Sequence, residues 1–140
     1  MPRVSAEREL LAPRDDVWAF LAEPHHLPDW WPGIAGVRPD RRGLAPGARW
    51  QVSGVGQPTL LRSAHASGQL LVRTVEKPSL VAWHLTSDRL DVELRLDAPA
   101  SDRTLARLTV SGGLLLLGRR GLPREALSRL HALCQTAASL

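Results

Sequence analysis

Tyrosine is missing from this chain, and phenylalanine (Phe20), lysine (Lys77) and cysteine (Cys134) each occur once. A lone cysteine excludes an intramolecular disulfide and a cysteine-based zinc cluster. No apolar run, Leu114 to Leu117 included, approaches the roughly 20 residues of a spanning helix, so no membrane span is expected. Charge at Arg3, Glu7, Arg8 and Glu9 leaves the N-terminus without the apolar stretch of a signal peptide, and a cytoplasmic location is expected. The histidines show no HxH, HExxH or His-x3-His spacing, so no metal site is expected. No GxSxG occurs, and Gly54-Val55-Gly56 lacks the strand-turn-helix setting of a dinucleotide loop. No cofactor is expected.

What is present is ordinary globular sequence: 140 residues, 44% hydrophobic and 23% charged. That length buries a core, and one domain over residues 1–140 is expected. The net charge of +4 comes from scattered arginines interleaved with acids, as in Arg89-Leu90-Asp91 and Glu93-Leu94-Arg95. Nucleic-acid binding needs basic residues gathered on one face, so no nucleic-acid partner is expected. The expected oligomeric state is a monomer or a homodimer.

Local patterns divide the chain into three parts. Arg3 to Leu11 reads as a strand ended by Ala12-Pro13, and Pro13 suits a helix start because its missing N–H has no partner there. Asp15 and Asp16 favour the helix dipole, and Val17, Phe20 and Leu21 form an i, i+3, i+4 stripe. His25 to Trp31 adds about two helical turns before Pro32-Gly33. From Ile34 to Leu117 the reading is strand after strand. Gly47 to Ser53 sets Trp50 and Val52 on one face. Gly68 to Glu76 sets Leu70, Val72 and Thr74 against Leu71, Arg73 and Val75. Leu80 to Ser87, Arg89 to Asp97 and Thr104 to Val110 alternate in the same way, which means an antiparallel sheet with one wet and one buried face. Lys77-Pro78-Ser79, Thr86-Ser87-Asp88 and Ala98 to Asp102 are the expected turns. Gly54 to Ala66 reads as a bulged strand or a loop over a cavity mouth. Pro123 to Ser139 forms an amphipathic helix whose apolar face includes Ala126, Leu127, Leu130, Leu133 and Cys134.

Ala12-Pro13, Val17-Trp18, Pro24, Trp30 and Pro32, followed by these strands and the closing helix, resemble the START-like (SRPBCC) superfamily in its polyketide cyclase/dehydrase-like branch. The resemblance implies an α+β helix-grip fold. A curved antiparallel β-sheet of six to seven strands wraps around a long C-terminal helix, with two short helices after strand 1. It also implies one internal cavity that binds apolar molecules. The matching positions are packing positions, so they carry no catalytic residue across, and catalytic residues stay unknown. Aromatic polyketide cyclases of the superfamily commonly present polar cavity residues, whereas the inward strand faces here are nearly all apolar. The branch of heat-shock chaperone ATPase activators opens similarly.

The residues expected to bind ligand are Trp31, Trp50, Trp83, Leu94, Leu127 and His131. Trp50 and Trp83 lie on inward strand faces, and indoles offer broad apolar stacking area. His131 borders the apolar stripe of the last helix and is the best-placed polar group for an orienting hydrogen bond. Three functions follow in order. The first is a carrier or sensor of a small hydrophobic molecule, aromatic or lipid-like, held in an internal cavity. The second is a cofactor-independent cyclase or dehydratase using His131 or a carboxylate. The third is a protein-interaction module using the tryptophan-rich N-terminal surface.

Overall fold

The computed structural model describes residues 2–55 and 65–138. Strand β1 (Arg3–Leu10) leads into helix α1 (Arg14–Ala22), a 3-10 turn (Pro24–His26) and the single-turn helix α2 (Leu27–Trp30). Six strands follow: β2 (Gly36–Arg38), β3 (Arg49–Val55), β4 (His65–Glu76), β5 (Leu80–Leu85), β6 (Leu90–Ala100) and β7 (Arg103–Ser111). A 3-10 segment (Leu114–Arg119) then joins the long helix α3 (Leu122–Ala138). The seven strands form one antiparallel sheet in the order β1-β7-β6-β5-β4-β3-β2. This is the expected helix-grip architecture.

Short-range chemistry explains the helical opening. Pro13 caps α1 with extended backbone, its carbonyl accepts from the N–H of Val17 at 3.1 Å, and Asp15 and Asp16 sit in the first turn. Pro24 starts the 3-10 turn, and the Glu23 carboxylate accepts from the backbone N–H of His25 at 3.2 Å. The His25 to Trp31 helix is thus split into two short pieces. Gly33, at φ 89°, turns the chain out of them in a conformation other residues rarely adopt.

Strand register lines up the apolar rows that form the core. One row runs Val4–Val110–Val92–Trp83–Val72 across five strands, and its neighbour runs Leu90–Leu85–Leu70–Trp50. Leu94, Leu96, Leu108 and Val110 are fully buried on this face. Each such side chain contributes about 1.5–3 kcal/mol by leaving water. The opposite face is polar: Arg107 pairs with Glu7, Arg95 with Glu93 at 2.6 Å, and His84 with Asp91 at 2.9 Å. Helix α3 covers the inner face over β1 and β7 with Ala126, Leu127 and Leu130, and β1 and β7 present the small side chains of Ala6 and Ala106 there.

Three local expectations are corrected. A bulge between Val72 and Thr74 inserts Arg73, which flips the alternation so that Val75 packs against the core opposite Val81. Strand β6 continues to Ala100 through a second irregularity, and the turn shrinks to the residues between Ala100 and Arg103. Leu114 to Leu117 is 3-10 helix and not strand, because the chain leaves the sheet at Gly112-Gly113 and the N–H of Leu116 bonds the Gly113 carbonyl. The short strand β2 falls inside the Ile34 to Leu117 stretch read as strands, at a place where no bounds were expected. Most of the Gly54 to Ala66 segment, residues 56–64, and the last expected helical residue, Ser139, lie outside the described residues.

Candidate functional site

Between the concave face and the N-terminal helices lies a small cavity of about 20 Å³. Every element on this side contributes a wall: Leu21 from α1, Leu27 and Trp30 from α2, Trp50 from β3, Leu70 from β4, and Val81 and Trp83 from β5. Leu44 closes it from the β2–β3 connection. Among the described residues the lining is aliphatic and indole. Its volume is about that of one water molecule, whereas drug-sized ligands need about 300–1,000 Å³.

Three indoles form the densest part of this region. Trp30, Trp31 and Trp83 meet pairwise edge to face, with centroid separations of 5.6, 6.0 and 5.7 Å and interplanar angles of 89°, 85° and 73°. This is the arrangement the ring quadrupoles favour. Trp30, Trp31 and Trp83 are 2%, 0% and 5% exposed. The indole N–H groups of Trp31 and Trp83 are buried and, among the described residues, have no hydrogen-bond partner. Trp50 differs, since its Nε1–H donates to the Gly43 carbonyl at 3.0 Å.

That bond belongs to a set that orders the loop carrying Leu44. The Asp40 carboxylate accepts from the backbone N–H groups of Arg42 at 3.0 Å and Arg49 at 2.9 Å, and the Arg42 guanidinium donates to the Gly47 carbonyl at 2.9 Å. The Arg49 N–H above all, with the Arg42 N–H and guanidinium, holds the Asp40 carboxyl below its ordinary value. Leu44 itself is only half-buried.

The six expected ligand-binding residues separate into groups. Trp50 and Trp83 share the cavity, and Trp31 backs it through its contacts with Trp30 and Trp83. Leu94, on β6, and Leu127, on α3, are fully buried in the core and do not line the cavity. His131 lies apart from the tryptophans, half-buried at the sheet edge, with Nδ1 3.4 Å from the Arg8 guanidinium. Burial first, and the Arg8 cation second, lower its pKa from the ordinary 6.5. Leu21, Leu27, Trp30, Leu44, Leu70 and Val81 line the cavity and were not among the expected ligand-binding residues. Trp30 matches a position read first as packing, and Leu44 sits in an irregular Gly- and Pro-rich connection whose path no periodicity predicts.

A second depression, about 220 Å³, runs on the outside between α1 and α3. Phe20, Leu130, Leu133 and Cys134 give it an apolar floor, and Asp16 stands at its rim. Burial pushes the Cys134 thiol above its ordinary value, which makes it a poor nucleophile. Phe20 also stacks on His26 at 4.1 Å, and His26 Nδ1–H donates to the Phe20 carbonyl at 2.8 Å, which holds the 3-10 turn against α1. Elsewhere in the interior, the only fully buried polar side chain among the described residues is Thr104, which donates to the Ala12 carbonyl at 2.8 Å. Among those residues, no group of three or more His, Cys, Asp or Glu side chains gathers to hold a metal, and no helix is long and apolar enough to cross a membrane.

Comparison with known proteins places this geometry in a family. Residues 1–114 match the family described as polyketide cyclase / dehydrase and lipid transport. Comparison with the curated proteins finds no match. Among solved structures, the chain is similar to the di-domain ARO/CYC BexL from the BE-7585A biosynthetic pathway, with a TM-score of 0.72 and 16% identity over 94% of this chain and 46% of that one. It is also similar to a START superfamily protein from Mycobacterium smegmatis, with a TM-score of 0.67, 14% identity, and 97% and 95% of the two chains covered. A third likeness is to Aha1 from Colwellia psychrerythraea, solved as a dimer, with a TM-score of 0.64, 15% identity and 94% of each chain covered. At these identities the solved structures speak to the fold, and the family match covers most of the chain: the protein belongs to the polyketide cyclase/dehydrase and lipid transport family.

Proposed function

We propose that this domain is a carrier or sensor that binds a small hydrophobic molecule in the interior bounded by Trp30, Trp50 and Trp83. The observation that carries this reading is the composition of the cavity wall, which consists of aliphatic and indole side chains from five elements and one loop. Such a wall rewards an apolar guest by the area it buries, about 25 cal/mol per Å². Among the described residues it supplies no proton carrier, which favours binding over acid–base chemistry. The three tryptophans of the N-terminal segment, Trp18, Trp30 and Trp31, are all buried, which weighs against an interaction module built on an exposed tryptophan surface.

At about 20 Å³ the cavity is too small for such a guest, so binding requires the walls to part. Leu44 is the natural moving part, because it is half-buried on a connection while the other lining residues sit on helices and strands. Native mass spectrometry of the protein purified from cells is expected to show an adduct of a small apolar molecule. A polarity-sensitive naphthalene dye is expected to bind the folded protein, quench its tryptophan emission and be displaced by that molecule. Leu44→Ala removes the closing side chain and is expected to tighten dye binding several-fold. No adduct, together with no dye binding by either protein, would mean a permanently filled core and a structural role.

A further inference from the structure

The interior that this reading treats as a binding site contains two unused hydrogen-bond donors. Trp31 and Trp83 are 0% and 5% exposed, their rings lie 5.7 Å apart, and neither Nε1–H has an acceptor among the described residues. Trp83 lines the cavity, and Trp31 packs behind it against Trp30 and Trp83. Buried N–H groups are nearly always paired, and an unpaired one carries the full penalty of its lost hydration. The contrast with Trp50 is local and instructive: on the same wall, its N–H is satisfied by the Gly43 carbonyl.

Resting on the binding reading above, we infer that the guest is an apolar molecule bearing an oxygen acceptor, a carbonyl, ether or phenol, which takes the indole N–H of Trp83, of Trp31 or of both. A pure hydrocarbon that fills the space leaves these donors without an acceptor. An oxygen-bearing guest of the same shape recovers that loss. The donors therefore select between molecules that the apolar wall alone treats alike, the usual division between bulk affinity and a few orienting polar groups.

The test compares two flat molecules of near-identical shape, fluorene and 9-fluorenone, by titration into 15N-labelled full-length protein. The five tryptophans give five indole N–H resonances, assigned by single Trp→Phe variants. The expected result is that fluorenone binds about tenfold tighter than fluorene and moves the Trp83 or Trp31 indole proton downfield, as a new hydrogen bond does. Trp83→Phe keeps an aromatic wall without the donor and is expected to shrink that preference. If this variant does not fold, the wild-type indole shifts decide the matter alone. Equal affinities with no selective downfield shift would overturn the inference and leave the apolar binding site standing. No binding of either molecule would overturn both.

Discussion

At the residue scale, tolerance is set by how little space the core leaves. Gly112 is one case, against the core: a Cβ there would lie 2.7 Å from Leu90 Cδ2 and 3.3 Å from the Arg89 carbonyl oxygen. Leu90 is itself buried and begins the row that ends at Trp50, so it has no free direction to retreat. Gly112→Ala is expected to destabilise the fold by about 1–3 kcal/mol, the usual cost of overpacking. Urea denaturation checks this, and a midpoint equal to wild type would show that Leu90 can move. Single residues also explain why the cavity composition was readable while its volume was not. Alternation assigns Trp50 and Trp83 to the inner face, but the space left between them depends on ring rotamers and on Leu44, which no pattern specifies.

At the scale of elements, the edge strand β1 and helix α3 show how a polar contact is placed beside an apolar one. Val4, Ala6, Arg8 and Leu10 share the helix-facing side of β1, and Arg8 meets His131 at the margin. An inward-pointing charge on an edge strand also discourages pairing with another chain. Burial, then Arg8, favours neutral His131, so its contribution to stability is complete above about pH 6.5 and is lost as pH falls through 6.5 towards the lower folded value. In Arg8→Ala the NMR titration midpoint of His131 is expected to rise, and the acid-side loss of stability to shrink. An unchanged midpoint would show that the Arg8 cation does not act on the ring. The bulge at Arg73 belongs to this scale too. A strict period of two misplaces Val75, because an inserted residue is a property of the strand pair and not of one strand.

At the scale of the whole molecule, β1, β7 and α3 close a core that joins segments more than 100 residues apart. Leu130 is completely buried where α3 crosses these strands and also borders the outer groove. Leu130→Asp is expected to unfold or aggregate the domain, since an unpaired buried carboxylate costs several kcal/mol against a total stability of about 5–15 kcal/mol. A thermal melt matching wild type would mean that α3 is not bound to the sheet through this face. The same long-range closure places His131 beside Arg8 and away from the tryptophans.

Periodicity, helix-start chemistry and the proline-tryptophan opening by themselves determined the class of fold, the strands from β3 to β7, the covering helix and the apolar character of the inner face. They suffice because each is a local property: a period of 2 or 3.6, a proline that cannot continue a strand, a stripe that must be covered. Only the tertiary structure decided that the tryptophan cavity is small, that Trp30 and Leu44 complete it, and that two indole N–H groups are left without acceptors. Those outcomes depend on how side chains from distant segments fill a common volume, and close packing makes that volume sensitive to every neighbour at once.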